Sequence, residues 1–230
     1  MGVNENLLGV RKTIAEAARK AEAKEIVLVG VTKTQPLEVV KQALDLGLSD
    51  IAENRLNEAE AKFPFVSGAR KHFIGHLQGN KVKRIVAICD MIQSVDSLAV
   101  ADSISDAALA QGKRMPVLVQ ILTDEKKQFG VRPADLEAFL RNASELEGIR
   151  IEGLMTIGPL CDKPEQARPV FRAMKKLFEH ARSLNIPNVE IRYLSMGMSC
   201  DYAIAIEEGA NMVRVGTALF GSRAVDNNPF

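Results

Sequence analysis

A lysine directly after an apolar run is the first place in this sequence where chemistry could begin. Residues 26–32 read IVLVGVT, and Lys33 follows. An amine held among apolar walls has a lowered pKa, because desolvation disfavours the ammonium. The neutral amine is the form that Schiff-base chemistry needs. A snorkelling surface lysine at a strand end has the same local sequence, so both readings stand at this point.

Two glycine-bearing loops form the second feature. One runs Ser195-Met196-Gly197-Met198-Ser199, the other Gly216-Thr217-Ala218-Leu219-Phe220-Gly221. Glycine lets backbone N–H groups approach an anion closely, and Ser or Thr adds hydroxyl donors. Such loops, with a short helix N-terminus, build phosphate sites; they also make ordinary turns. Arg214 sits inside the apolar run before the second loop. Strand alternation puts Val213 and Val215 on one face and Met212, Arg214 and Gly216 on the other. A charge there needs a partner, either an ion pair inside the fold or a ligand that accepts its fixed donors.

The histidines invite a metal reading, because His72 and His76 form H-x3-H. That spacing chelates on a helix. Here HFIG reads as extended, which would set the pair ~13 Å apart, so no metal is expected. Cys89, Cys161 and Cys200 are most simply small buried hydrophobes, and their roles stay open. A nucleophilic pair of Cys200 with His76 has no local support. KVKR at 81–84 reads as a solvated helix face.

Positioning these groups requires a regular scaffold, and the chain alternates two kinds of segment. Strands are expected at 26–32, 117–122, 149–157 and 212–216, by their short apolar runs, and weaker ones fit at 50–53, 71–75, 91–95 and 190–194. Helical spacing follows: Leu37, Val40 and Leu44 after Pro36; Leu98, Ala101 and Ile104; Leu136, Phe139, Leu140 and Ala143 after Pro133. A long helix is expected at 164–184, a short one near 201–208, and an extra one at roughly 5–22. Gly47, Gly112, Gly148 and Gly209 stand where helices should stop. Eight strand-helix units imply a parallel sheet closed as a (β/α)8 TIM-type barrel with an extra N-terminal helix. In such a barrel the active site lies at the C-terminal strand ends. Those ends carry Lys33, Glu53, Asn54, His76, Ser94, Asp96, Thr123, Met155, Thr156, Ser195, Gly216 and Thr217. An open doubly wound sheet is the alternative, weakened by the lack of G-x-G-x-x-G after the first strand.

The 230 residues are 47% hydrophobic and 26% charged, with net charge +1. One domain spanning 1–230 is expected, with 222–230 a polar, loose tail. Near-neutrality argues against nucleic acid or an anionic membrane as partner. Three cysteines cannot frame a disulfide scaffold, and no apolar run approaches the ~20 residues of a membrane helix. The polar start lacks a signal core, so a cytoplasmic location is expected.

GVTKTQP, AENRLNEAEAK, HFIGHLQGNKVK, SVDS, EGLMTIGP, LSMGMS and VRVGTALFG occur in this order. As a set, from about residue 5 to 223, they resemble the pyridoxal phosphate homeostasis (pyridoxal phosphate-binding) family, whose barrel is similar to the cofactor domain of alanine racemase. The resemblance implies pyridoxal 5′-phosphate as cofactor, held as an aldimine on Lys33. It implies that Ser195, Gly216 and Thr217 hold the phosphate, that Arg214 faces the pyridine nitrogen, and that Asn54 and His76 line the pocket. Two positions depart from the family pattern. Ala52 replaces a usual Gly, and Cys200 a common Asp, which touches only fine pocket shape.

The function so implied is intracellular cofactor homeostasis, buffering pyridoxal phosphate or delivering it to apo-enzymes, with no catalytic residue. A monomer or weak homodimer is expected. The alternative is a pyridoxal-phosphate-dependent amino-acid racemase. Against it, the chain is used up by the barrel and its tyrosines are Tyr193 and Tyr202. An arginine at the ring nitrogen would also weaken the ring as an electron sink.

Overall fold

The computed structural model describes residues 2–124, 128–159 and 163–221. Eight parallel strands close on themselves in sequence order. They are β1 (Val27–Val31), β2 (Asp50–Glu53), β3 (Arg70–Phe73), β4 (Met91–Val95), β5 (Met115–Gln120), β6 (Ile149–Met155), β7 (Val189–Ser195) and β8 (Met212–Val215). β8 returns to pair with β1, Arg214 opposite Val29. This is the expected barrel, with strand bounds within about two residues of those read from the apolar runs.

The helices are α1 (Val3–Lys20), α2 (Leu37–Asp45), α3 (Leu56–Lys62), α4 (Gly79–Ile88), α5 (Leu98–Leu109), α6 (Leu136–Ala143), α7 (Arg168–Ser183), α8 (Tyr202–Glu207) and α9 (Thr217–Phe220). The longer ones each bury one stripe. On α7 it is Phe171, Met174, Phe178 and Ala181, at helical spacing. The extra helix α1 packs on α2, α8 and α9. Ser97 caps α5 by accepting from the Val100 N–H. Short 3₁₀ turns at 133–135 and 164–167 open the segments where full helix was expected, each started by a proline.

Gly47, Gly112 and Gly209 end their helices with positive φ, as expected. Gly148 does not. Its α6 has already ended at Ala143, and a Cβ on Gly148 would sit 2.2 Å from the Ser105 carbonyl oxygen. That glycine is fixed by the close approach of two backbones. The expected tail 222–230 and Cys161 lie outside the described residues.

Two cores result. A large outer one fills the space between sheet and helices. A small inner one holds Val29, Val31, Ala52, Met91, Leu118, Met155 and Met212. The same inward parity carries polar residues: Asp50, His72, Gln93, Ser195 and Arg214 are all buried. At the closed end, where the strands begin, the buried Glu152 pairs with Arg70, Arg150 and Arg192. Tyr193 lies beneath the guanidinium groups of Arg70 and Arg192.

Candidate functional site

At the C-terminal strand ends lies a cavity of about 580 Å³. That is within the ~300–1,000 Å³ of small-molecule pockets. Val31, Ile74 and Met198 form apolar wall; Lys33, Thr34, Ser199, Cys200, Arg214, Gly216 and Thr217 supply polar groups. Lys33 is half-buried, two residues past Val31, the last inward valine of β1. Among the described residues its amine has no hydrogen-bond or ion-pair partner.

The backbone around that amine is fixed from below. Lys62, buried at the end of α3, donates to the Thr32 carbonyl at 2.7 Å and to Glu53 Oε1 at 2.7 Å. It also reaches Glu58 at 3.1 Å. Thr32 Oγ1 donates to the same Glu53 oxygen at 2.6 Å. Glu58 accepts the Thr34 N–H at 2.5 Å. Residues on both sides of Lys33 are therefore tied while Lys33 is not. Burial raises the Glu53 carboxyl more than Lys62 and Thr32 lower it. Burial also raises Glu58, but the Thr34 N–H and Lys62 hold it below the usual carboxylate range.

Arg214 is buried, yet among the described residues it makes no ion pair. Its guanidinium donates to Ser195 Oγ at 2.7 Å and to the Thr156 carbonyl at 2.8 Å. Burial pulls its pKa down to about 10, against the charge of Asp201. It stays a cation at neutral pH, with N–H donors left for the cavity.

Beside it, the Gly216 and Ala218 N–H groups donate to Ser199 Oγ at 3.1 and 3.2 Å. With both lone pairs taken, the Ser199 proton is free for an acceptor in the cavity. Sequence reasoning placed Ser199 in the loop without assigning it a role. Only the fold shows which N–H groups it accepts.

Of the expected residues, the structure gathers Lys33, Arg214, Gly216 and Thr217 on one cavity. Ser195 lies behind Arg214, with its hydroxyl bonded to Gln93 and Arg214. Asn54 directly follows β2, with its Oδ1 buried and unpartnered among the described residues. Gly75 packs on the Asn54 carbonyl so closely that a Cβ would come within 2.0 Å. His76 is exposed beyond β3, bonded to Asp96 at 3.0 Å and stacked on Phe129. His72 points into the barrel with other partners. Cys200 lines the cavity, so that departure from the family pattern bears directly on the pocket. Neither Tyr193 nor Tyr202 does so; Tyr193 faces the closed end. No helix among the described residues is long and apolar enough to cross a membrane.

Residues 6–224 match the family described as alanine racemase, N-terminal domain. The chain is 37% identical over 228 residues to the pyridoxal phosphate homeostasis protein of Aquifex aeolicus, covering 97% of this chain and 99% of that one. PipY of Synechococcus elongatus PCC7942, solved with PLP bound, is 32% identical with a TM-score of 0.83, over 95% of this chain and all of that one. Alanine racemase of Clostridium difficile 630, at 18% identity and TM-score 0.74, shares the fold over 94% of this chain and 61% of its own. Barrel, cavity and full-length similarity agree: the chain belongs to the pyridoxal phosphate homeostasis protein family.

Proposed function

We propose that the protein binds pyridoxal 5′-phosphate in the Lys33 cavity and serves its intracellular homeostasis, as a store from which apo-enzymes draw. The observation that carries this reading is one cavity holding an untethered amine, a fixed guanidinium and a Ser199 hydroxyl fixed by two backbone N–H groups. The donor set fits the group. When bound, pyridoxal phosphate supplies an aldehyde that an amine can condense with, a ring nitrogen and a dianion.

Lys33 is the amine for the aldehyde. Thr217 and the Ser199 hydroxyl hold the phosphate, with the Gly216 N–H fixing Ser199 Oγ behind it. Arg214 meets the ring nitrogen; being donor-only, it leaves no proton there. Ser195 acts through Arg214 by accepting from it. The unpartnered Asn54 Oδ1 and the exposed His76 complete the mouth on the β2–β3 side.

This arrangement binds and releases; it does not build an amino-acid racemase. Without a proton on the ring nitrogen, carbanion stabilisation is weak. Neither tyrosine lines the Lys33 cavity to serve as a second base. The test is direct. Isolated protein should absorb as a bound imine, and borohydride should fix the ligand to the peptide carrying Lys33. Labelling of another lysine would overturn the site. Turnover of alanine at even ~1 s⁻¹, the low end for ordinary enzymes, would favour the racemase reading.

A further inference from the structure

Behind the cavity, five buried side chains join end to end through the inside of the barrel. Arg214 Nη1 meets Ser195 Oγ at 2.7 Å. Ser195 Oγ meets Gln93 Oε1 at 2.7 Å. Gln93 Nε2 meets His72 Nδ1 at 2.9 Å. His72 Nε2 meets Asp50 Oδ1 at 2.9 Å. The row starts at the cavity and ends at the opposite mouth, where Asp50 borders a shallow cleft with Arg11 and Ser49. Each residue comes from a different strand or its end, at the inward position.

The two ends fix the direction of every bond between them. Arginine only donates, and an ionised carboxylate only accepts. Asp50 therefore takes the proton of His72 Nε2, which leaves Nδ1 as an acceptor. Nδ1 can only be met by the Gln93 amide nitrogen. That turns Gln93 Oε1 to Ser195 and makes Ser195 the donor to it. Ser195 then offers Arg214 a lone pair rather than a proton. Burial lowers the Asp50-bound imidazole, so His72 stays neutral; Asp50, raised by burial, is held down by His72 and Ser49.

We propose that Asp50, His72 and Gln93 are positioning residues for Arg214: the carboxylate at the closed end of the barrel sets, through one hydrogen-bonded row, the lone pair that orients the guanidinium at the cofactor cavity. The proposal rests on the reading of Arg214 as the group at the pyridine nitrogen. An alternating row of this kind transmits orientation because reversing one member forces its neighbours to reverse. Asp50→Asn is the informative change. The amide can donate to Nε2, which releases His72 to carry its proton on Nδ1 and turns Gln93 over. Ser195 is then left with its own proton against Arg214 and no acceptor for it.

The experiment has two parts. Nitrogen-15 NMR of ligand-free wild-type protein should show His72 protonated on Nε2 and not on Nδ1; the opposite tautomer, or protons on both, overturns the proposal without any variant. Asp50→Asn should then weaken pyridoxal phosphate binding about tenfold, equivalent to ~1.4 kcal/mol, and shift the absorption maximum of the bound cofactor. Glu152→Gln removes another buried carboxylate at the same end but lies outside the row. It should leave affinity within about twofold and the spectrum unchanged, whatever it does to stability. If Asp50→Asn binds and absorbs as wild type, or if Glu152→Gln shifts the spectrum equally, the row does not position Arg214. Gln93→Met, which breaks the row without stranding a charge, should reproduce the spectral shift. Failure of the wild type to bind the cofactor would instead refute the function proposed above.

Discussion

Two lysines lie at the same end of the barrel and live in opposite surroundings. Lys62 is buried, with a carbonyl and two carboxylates on its ammonium. Lys33 is half-buried and, among the described residues, unattached. The first is a structural cation whose surroundings are complete. The second has open space in front of it and fixed backbone on both sides. A reactive amine needs that combination: freedom for its own nitrogen and none for its anchor.

The largest effect should come from breaking the first region. Lys62→Met leaves Glu53 buried without its cation, a change that typically costs ~3–5 kcal/mol. Urea unfolding should show that loss. Adding Glu53→Gln should return part of it, because the stranded charge is gone. Lys33→Ala should move stability by less than about 1 kcal/mol, yet abolish borohydride fixation of pyridoxal phosphate. Equal destabilisation by the two lysine changes would erase the contrast.

The next effect sharpens the second region. If the Ser199 and Thr217 donors take a phosphate, plain pyridoxal loses charge-assisted bonds of ~1.5–3 kcal/mol each. Its dissociation constant should then be at least about a hundredfold weaker. Ser199→Ala alone should cost the phosphorylated ligand roughly tenfold, and pyridoxal nothing. Equal affinity for both ligands would remove the cradle.

The sequence made one of these regions legible and hid the other. Apolar runs located four strands and weaker patterns the other four. Period-two alternation put Arg214 on the face opposite Val213 and Val215, which closure of the barrel turns inward. Lys33 stood out because its own neighbours were apolar. The clamp was only half visible: Glu53 stands out as a strand-end residue, but nothing local in ENRLNEAEAK pairs it with Lys62. Its charges are buried only because α3 folds back on β1 and β2. Asp50, His72 and Gln93 were hidden for a similar reason. Each is ordinary in its own strand, and they meet only when barrel closure stacks inward positions from separate strands. Gly148 was misread as a helix stop since a glycine required by a distant backbone looks the same as one required by its own φ.

A smaller effect probes the barrel interior. His72 is held neutral by burial, below its ordinary value of 6.5. Between its folded value and 6.5 the unfolded chain binds the extra proton. Stability should therefore rise with pH through that window and be lost as pH falls below 6.5. The slope of one proton is at most ~1.4 kcal/mol per pH unit. The carboxylates Asp50 and Glu58 act lower, since their folded values lie below 3.8 and 4.5. The raised Glu53 and Asp201 carboxyls oppose the slope above 4.5 and 3.8, so the His72 share is the difference between wild type and His72→Gln. Urea unfolding across about pH 5 to 7.5 should show the slope in wild type, and a flatter one in His72→Gln.

The smallest effect returns to the lysine loop. Thr34 has φ of 64°, the left-handed region, where a β-branched residue is strained. Two bonds hold it there: its N–H donates to Glu58, and its hydroxyl to the Lys33 carbonyl at 2.6 Å. Asparagine tolerates that conformation and keeps the N–H. Thr34→Asn should relieve strain while giving up the hydroxyl bond. The two terms nearly cancel, so stability should rise by no more than about 0.5 kcal/mol. Cofactor affinity should hold within about twofold, because Glu58 still fixes the backbone beside Lys33. Glu58→Gln, which weakens that N–H bond and the contact with Lys62, should lower affinity while leaving Lys33 intact. A loss in Thr34→Asn with none in Glu58→Gln would mean that the threonine side chain, not the clamped backbone, sets the lysine.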